Sequence, residues 1–115
     1  TFIESNQRAA KSIQENLKLL DLSEGHVICN DALTWINSQG LPTKKYDVVF
    51  LDPPFSSSIL ADTCQHLNSS SLLNRACKIY IETGIDPNSL NFPTDWRRLK
   101  LKKAGQVFSS LFIKD

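Results

Sequence analysis

Apolar and polar positions change from strand-like to helix-like spacing near the start of the chain. Residues 2–4 have the pattern of the end of a strand, and Ser5 and Asn6 offer a helix N-cap. The predicted helix runs to about residue 20. Its apolar face, with spacings of three, four and three positions, consists of Ala10, Ile13, Leu17 and Leu20. A second strand at residues 26–29 then precedes a helix capped by Asn30 and Asp31.

The clearest strand comprises residues 46–51. Its last four side chains are all apolar, which is the pattern of a parallel strand covered on both faces. It ends at Asp52 because Pro53 and Pro54 cannot donate ladder hydrogen bonds. A loop is therefore predicted directly after this strand.

The rest of the chain predicts one more helix and three more strands. Residues 56–58 can cap the helix, and its apolar face carries Leu60, Cys64 and Leu67. Residues 76–82 form the next strand. A loop at residues 87–93 is followed by the last two β-prone runs, which predict an antiparallel pair. The two runs span residues 97–102 and 107–113, and the turn between them spans residues 104–106.

The resulting order, β-α-β-α-β-α-β-β-β, predicts an α/β fold with a mostly parallel sheet and an antiparallel C-terminal hairpin. Parallel strands joined by helices bind ligands outside their carboxyl ends. The positions that follow those ends are Glu4, Asp31, the loop 52–55 and residues 82–84.

Composition excludes several classes of protein. The 115 residues fit one small domain, and 13 basic against 12 acidic residues exclude a strongly basic nucleic-acid-binding arm. No apolar run approaches the roughly 20 residues of a membrane span. Cys29, Cys64 and Cys77 lack CxxC spacing and only two histidines are present, so neither a disulfide framework nor a metal site is expected. A reducing cytoplasm is the expected location, and no secretory signal is visible.

Two of the strand-end acids have open interpretations. Glu4 could accept hydrogen bonds from both hydroxyls of a ribose, or it could be a solvated acid near a helix N-terminus. Asp31 could accept from the amino group of an adenine, or it could cap the second helix. Each residue by itself favours the structural interpretation.

Asp52-Pro53-Pro54-Phe55 is the most specific motif in the chain. It fixes an acid, an exposed carbonyl and an aromatic ring at one strand end. An exocyclic amine is a poor nucleophile because its lone pair is delocalised into the ring. If the Asp52 carboxylate and the Pro53 carbonyl each accept one N–H, the lone pair turns toward an incoming methyl group while the base stacks on Phe55.

These residues resemble a known family. The DPPF loop is similar to motif IV of class I S-adenosylmethionine-dependent amino methyltransferases. The order of the elements resembles the RsmD family, the bacterial 16S rRNA guanine-N2 methyltransferases, over nearly all of the chain. The elements that carry the resemblance are Phe2-Ile3-Glu4, Asn30-Asp31-Ala32, the segment from Asp47 to Phe55, Ile79 to Glu82, Trp96 and Lys103 to Val107.

The resemblance implies a Rossmann-like three-layer sandwich that uses S-adenosylmethionine and acts on 16S rRNA or the small ribosomal subunit. It implies that Glu4 binds the cofactor ribose and that Asp31 lies near its adenine. Asp52, Pro53, Pro54 and Phe55 would hold the target guanine at the reacting methyl, with Asp52 also at the cofactor. No membrane or metal is implied as a partner.

The family's first strand and its Gly-rich loop are expected before residue 1. That strand would lie between the strands that end at Glu4 and Leu51. Residues 1–115 are therefore expected to be the C-terminal part of a single methyltransferase domain, and to be inactive without the remainder.

Two other functions remain open from the sequence. One is a different DNA, RNA or protein-glutamine amino methyltransferase with the same loop. The other is a non-catalytic RNA-binding module that kept the fold.

A basic cluster near the C-terminus has two interpretations. It could contact phosphates, or it could be the solvated face of an edge strand. On a regular strand, Arg98, Lys100 and Lys102 would share one face. The five members of the cluster are Arg97, Arg98, Lys100, Lys102 and Lys103. Glu82 could border a substrate pocket, although a solvent-facing acid is the simpler interpretation.

Overall fold

The computed structural model describes residues 1–53 and 57–115, and for Ser57 the backbone only. These residues fall into two compact units, residues 1–39 and residues 40–115. The element order matches the alternation predicted from the sequence.

The first unit is a parallel strand pair with two helices. Its elements are β1 (Phe2–Glu4), α1 (Gln7–Leu19), β2 (Val27–Cys29) and α2 (Ala32–Ser38). Asn6 caps α1, and its side-chain oxygen accepts from the Ala9 N–H at 3.0 Å, which confirms the predicted helix start. Leu20 is not on the buried face, because the helix ends at Leu19 and Leu20 is 67% exposed.

The second unit is built on a four-stranded sheet. Its elements are β3 (Tyr46–Leu51), α3 (Ser57–Ser69), β4 (Leu73–Thr83), the 3₁₀ turn η1 (Pro87–Ser89), β5 (Trp96–Ala104) and β6 (Val107–Lys114). The strand order is β3-β4-β6-β5. The β3–β4 pair is parallel, and the other two pairs are antiparallel. The segment predicted to be a loop at residues 87–93 thus contains the short turn η1, capped by Asp86.

One face of this sheet and the apolar face of α3 form the core of the unit. The three residues predicted for the helix face, Leu60, Cys64 and Leu67, are all buried. From the sheet, the buried side chains are Leu73, Cys77, Ile79, Ile81, Trp96, Ser110 and Phe112. Asn68 of α3 joins the two layers, because its side-chain oxygen accepts from the Trp96 indole N–H at 2.8 Å. We call this the packed face.

The prediction that β3 is covered on both faces is wrong for the opposite side of the sheet, which we call the open face. Val48 and Phe50 of β3 are 53% and 73% exposed. Alternation along a strand sends these two side chains away from the face that α3 covers. Among the described residues, β3 therefore has one packed face and one exposed face.

The antiparallel pair at the end of the chain is confirmed as the β5–β6 hairpin. Gly105 has φ +62°, a conformation that glycine adopts without strain in its tight turn. The predicted alignment of basic residues is wrong at one position. A register shift between Arg98 and Lys100 pairs Arg98 with Phe112 of the packed face. Arg97 instead shares the open face with Lys100 and Lys102, because all three lie opposite β6 residues of that face.

Neither unit contains, among the residues described, a helix with the length and apolarity to cross a membrane.

Candidate active site

In the second unit, two acids lie near the carboxyl ends of neighbouring parallel strands. Leu51, the last residue of β3, pairs with Ile81 of β4. Asp52 comes directly after Leu51, and Glu82 comes directly after Ile81, so the structure brings both acids to one edge of the sheet. Asp52 is exposed and Pro53 is partly exposed. The acid of the motif is thus accessible at the strand end predicted for it.

The other half of the predicted motif lies outside the described residues. Pro54 and Phe55 belong to this part of the chain, as does Ser56, the first residue of the predicted helix cap. Their expected roles stay predictions.

The Glu82 carboxylate is held by its neighbours on the open face. The Tyr80 hydroxyl donates to Glu82 Oε1 at 2.8 Å and lies 3.2 Å from the Ser109 hydroxyl. The Tyr80 ring also meets the Phe50 ring edge to face, with 5.8 Å between centroids. Glu82 is therefore a half-buried, oriented acceptor rather than a freely rotating solvent-facing acid. The i, i+2 spacing of Tyr80 and Glu82 was the sequence signal that could have indicated this pairing.

The first unit brings its two candidate cofactor residues to one edge as well. β1 and β2 are parallel, and Glu4 pairs with Cys29. The Asn30 N–H donates to the Glu4 carbonyl at 3.1 Å. Glu4 thus ends β1, and Asp31 lies two residues after the end of β2, at the same edge of this strand pair. The Glu4 side chain makes a local bond, because its Oε1 accepts from the Asn6 N–H at 3.1 Å.

Asp31 is the N-cap of α2, as the structural interpretation predicted. Its Oδ2 accepts from both the Thr34 N–H and the Thr34 hydroxyl, each at 3.0 Å. The backbone N–H of Thr34, followed by its hydroxyl, holds the pKa of Asp31 below its ordinary value. The side chain is exposed, so capping leaves it accessible to a ligand.

The chain matches a known protein family over nearly its whole length. The family model described as Conserved hypothetical protein 95 matches residues 1–113.

Curated relatives cover the same stretch. The chain is 32% identical over 117 residues to "Ribosomal RNA small subunit methyltransferase D" of Buchnera aphidicola subsp. Baizongia pistaciae. It is 27% identical over 115 residues to the protein of that name in Escherichia coli K12. The alignments cover 98% and 100% of this chain but 57% of each relative, so the chain spans little more than half the length of these proteins.

Solved structures share the fold. An Escherichia coli protein, yhhF, provisionally described as a methyltransferase, matches with a TM-score of 0.87 at 26% identity, over 98% of this chain and 60% of its own. A Haemophilus influenzae protein provisionally described as a methylase matches with a TM-score of 0.85 at 31% identity, over 98% of this chain and 70% of its own. The predicted α/β, Rossmann-like methyltransferase fold is confirmed. With the match to the family model over nearly its whole length, the chain belongs to the Conserved hypothetical protein 95 family, the RsmD family of methyltransferases.

Proposed function

We propose that the protein, in its complete form, transfers a methyl group from S-adenosylmethionine to the exocyclic N2 of a guanine in 16S rRNA of the small ribosomal subunit. The observation that carries this proposal is the accessible Asp52-Pro53 segment at the carboxyl end of β3, beside the oriented carboxylate of Glu82. The names of the curated relatives support a small-subunit rRNA substrate. We therefore also propose a cytoplasmic location.

Asp52 and Pro53 supply what an amine methylation needs from the protein. Each hydrogen of the amino group requires an acceptor, and the carboxylate and the backbone carbonyl are two acceptors on adjacent residues. The proline ring fixes φ of Pro53, and a following proline restricts its ψ, which sets the direction of the Pro53 carbonyl. Pro54 would stiffen this segment further, and Phe55 would stack on the base.

Glu82 is the feature that favours guanine over adenine. Guanine presents a second donor, N1–H, beside its amino group, whereas adenine presents an acceptor, N1, at that position. With Oε1 engaged by Tyr80, the other oxygen of Glu82 is the acceptor that this proposal assigns to N1–H. The same oxygen would repel the lone pair of adenine N1, so one carboxylate both accepts guanine and rejects adenine.

Glu4 and Asp31 fit the polar groups of the cofactor by their chemistry. A carboxylate accepts from both hydroxyls of a ribose, and a second carboxylate accepts from an exocyclic amino group. Both acids are accessible at one edge of the β1–β2 pair, and each retains accepting capacity beyond the bonds it makes to the backbone. When bound, S-adenosylmethionine supplies the electrophilic methyl group. Asp52 is proposed to contact it as well as the guanine.

The experiment is transfer of labelled methyl to undermethylated small subunits by the full-length protein, at saturating cofactor. Asp52→Asn keeps the size of the side chain but replaces one acceptor oxygen with a donor, and Asp52→Ala removes both oxygens. We expect each to lower kcat about 10²- to 10³-fold, as for loss of one pre-oriented polar group. Asp62→Asn, which changes an exposed acid of α3, is the matched control and should leave the rate unchanged.

Two outcomes would overturn the proposal. If wild-type protein binds the cofactor but labels a protein or DNA and not rRNA, another amino methyltransferase activity replaces it. If the protein binds RNA without binding the cofactor, it is a non-catalytic RNA-binding module.

A further inference from the structure

The open face carries an exposed basic column along β5. Arg97, Lys100 and Lys102 lie opposite Ile113, Leu111 and Ser109 of β6. That list of partners defines one face, because directly opposed residues of an antiparallel pair point to the same side. All three basic side chains are exposed. Lys100 and Lys102, which are two positions apart, lie about 6.6 Å apart along the strand.

Two members of this column are free to bind an external anion. Lys100 and Lys102 make no ion pair or hydrogen bond with any residue that the structure describes. Arg97 pairs with Asp115 at 3.3 Å, but the two side chains are 60% and 56% exposed, so this pair is weak. The other two cations of the cluster are engaged elsewhere: Arg98 donates to Asn88, and Lys103 lies over the Phe108 ring.

The column leads to the edge where Asp52 and Glu82 lie. β5 is antiparallel to β6, and β6 is antiparallel to β4, so β5 runs in the same direction as β4 and β3. Its carboxyl end is therefore at the edge reached by Asp52. Lys102 pairs with Ser109, and Ser109 pairs with Glu82, so the last lysine lies in the same row as the oriented acid.

We propose that Arg97, Lys100 and Lys102 bind consecutive phosphates of the RNA strand that carries the methylated nucleotide. The inference rests on the proposed function, because it assigns the β5 column to the same substrate. Strands β3 and β5 are separated by three strand spacings, about 14 Å. At this distance, the column contacts the RNA backbone beside the target nucleotide, while the target base lies at the sheet edge that carries Asp52.

Charge complementarity favours RNA over the other occupants of this surface. The whole chain carries a formal charge of only +1, yet five of its 13 basic residues lie within residues 97–103. Lysines also protect an edge strand from pairing with a second copy, and that role needs no RNA. An acidic protein partner would also bind these basic side chains, but its affinity would not depend on the number of phosphates contacted.

The test compares Lys100→Gln/Lys102→Gln with Lys44→Gln/Lys45→Gln in the full-length protein. The control pair is also exposed and belongs to the same unit, but it precedes β3 and lies at the opposite edge. Affinity for protein-free small-subunit rRNA is measured at several salt concentrations. Each lost phosphate contact should reduce the slope of log K against log salt by roughly 0.7–0.9, so the β5 variant should lose about 1.4–1.8 and the control should lose nothing.

Methyl transfer by the same variants separates a binding role from a structural one. The β5 variant should raise KM for the RNA at least ~10-fold with kcat at saturating RNA unchanged, since it removes binding common to ground and transition states. An unchanged slope together with variant dimers would overturn the inference in favour of edge protection. An unchanged slope with lost binding to intact subunits would overturn it in favour of a protein partner.

The two proposals fail in different ways. The wild type could bind RNA in a salt-dependent way that needs Lys100 and Lys102 and yet transfer no methyl group. That result would contradict the proposed function and support RNA binding by the β5 column. Guanine methylation with equal RNA binding by both variants would support the proposed function and contradict the column.

Discussion

The two faces of the four-stranded sheet use the same strands for different purposes. On the packed face, β4 and β6 contribute Ile79, Ile81 and Phe112, which are at most 3% exposed. On the open face, the next residues along β4 are Tyr80 and Glu82, which form a polar cluster, and β5 presents free lysines. Neighbouring residues of one strand thus serve the core and the site. We infer that substitutions on the packed face affect stability and that those on the open face affect activity.

The largest effect is expected at Phe112, which packs against Phe92 and Trp96 with ring centroids 4.7 and 6.1 Å away. Phe112→Ala should lower the free energy of unfolding by about 3–5 kcal/mol, through lost burial and the cavity left behind. Phe50→Ala on the open face is the matched control and should cost less than ~1 kcal/mol, because Phe50 is 73% exposed. Equal losses in urea unfolding would break the contrast between the faces.

A smaller loss of stability is expected at Asn68, which links α3 to the packed face. Its side chain accepts from Trp96 and Lys114, each at 2.8 Å, and donates to Asp95 at 2.7 Å. Asn68→Ala leaves those three groups without this partner, so thermal unfolding should show a loss of about 1–3 kcal/mol. The neighbouring exposed Ser69→Ala should be neutral, and equal effects of the two changes would show that the link contributes nothing.

Glu82 should show the opposite profile, with little change in stability and a clear loss of activity. Glu82→Gln can still accept from Tyr80, but its amide presents a donor where guanine N1–H needs an acceptor. We expect kcat/KM to fall about 10- to 100-fold, from loss of a charged hydrogen bond of order 1–3 kcal/mol. Glu24→Gln, an exposed acid of the first unit, is the control. Unchanged methylation by Glu82→Gln would contradict the contact with guanine and favour the interpretation of Glu82 as a solvent-facing acid.

The smallest expected effect is a difference in reactivity among the three cysteine thiols of the folded, unmutated protein. Burial raises the pKa of Cys64 to about 12, and it also raises the pKa of Cys77. Because the thiolate is the reactive form, both should stay unmodified by a thiol reagent at pH 8. Cys29 is exposed in the first unit and should react. Mass spectrometry should therefore find one modified cysteine in folded protein, and rapid modification of Cys64 would show that the packed face opens.

Much of the fold could be predicted from local pattern. The order of the elements, the Asn6 cap and the buried face of α3 followed from spacing and capping chemistry. The exposure of Phe50 could not be predicted, because an apolar run does not reveal whether a second layer covers the strand. The face of the sheet on which Arg98 lies could not be predicted either, because the register shift before Lys100 depends on pairing with β6.

The site was predictable only in part. The position of Asp52 directly after the β3 strand pattern was predicted. For Asp31 the sequence left a helix cap and an adenine contact open, with the cap favoured, and the structure shows the cap. The Tyr80–Glu82 pair has a local i, i+2 signal, but the contact of the Tyr80 hydroxyl with Ser109, 29 positions away in sequence, comes from strand pairing. Long-range pairing of this kind leaves no mark in local periodicity.

The most direct test of the account is the identity of the nucleoside that the wild-type, full-length protein methylates in undermethylated small subunits. Labelled methyl from S-adenosylmethionine should appear in N2-methylguanosine after digestion to nucleosides. Label in N6-methyladenosine would contradict the role given to Glu82 and the choice of guanine, and label in ribosomal protein instead of rRNA would contradict the proposed substrate.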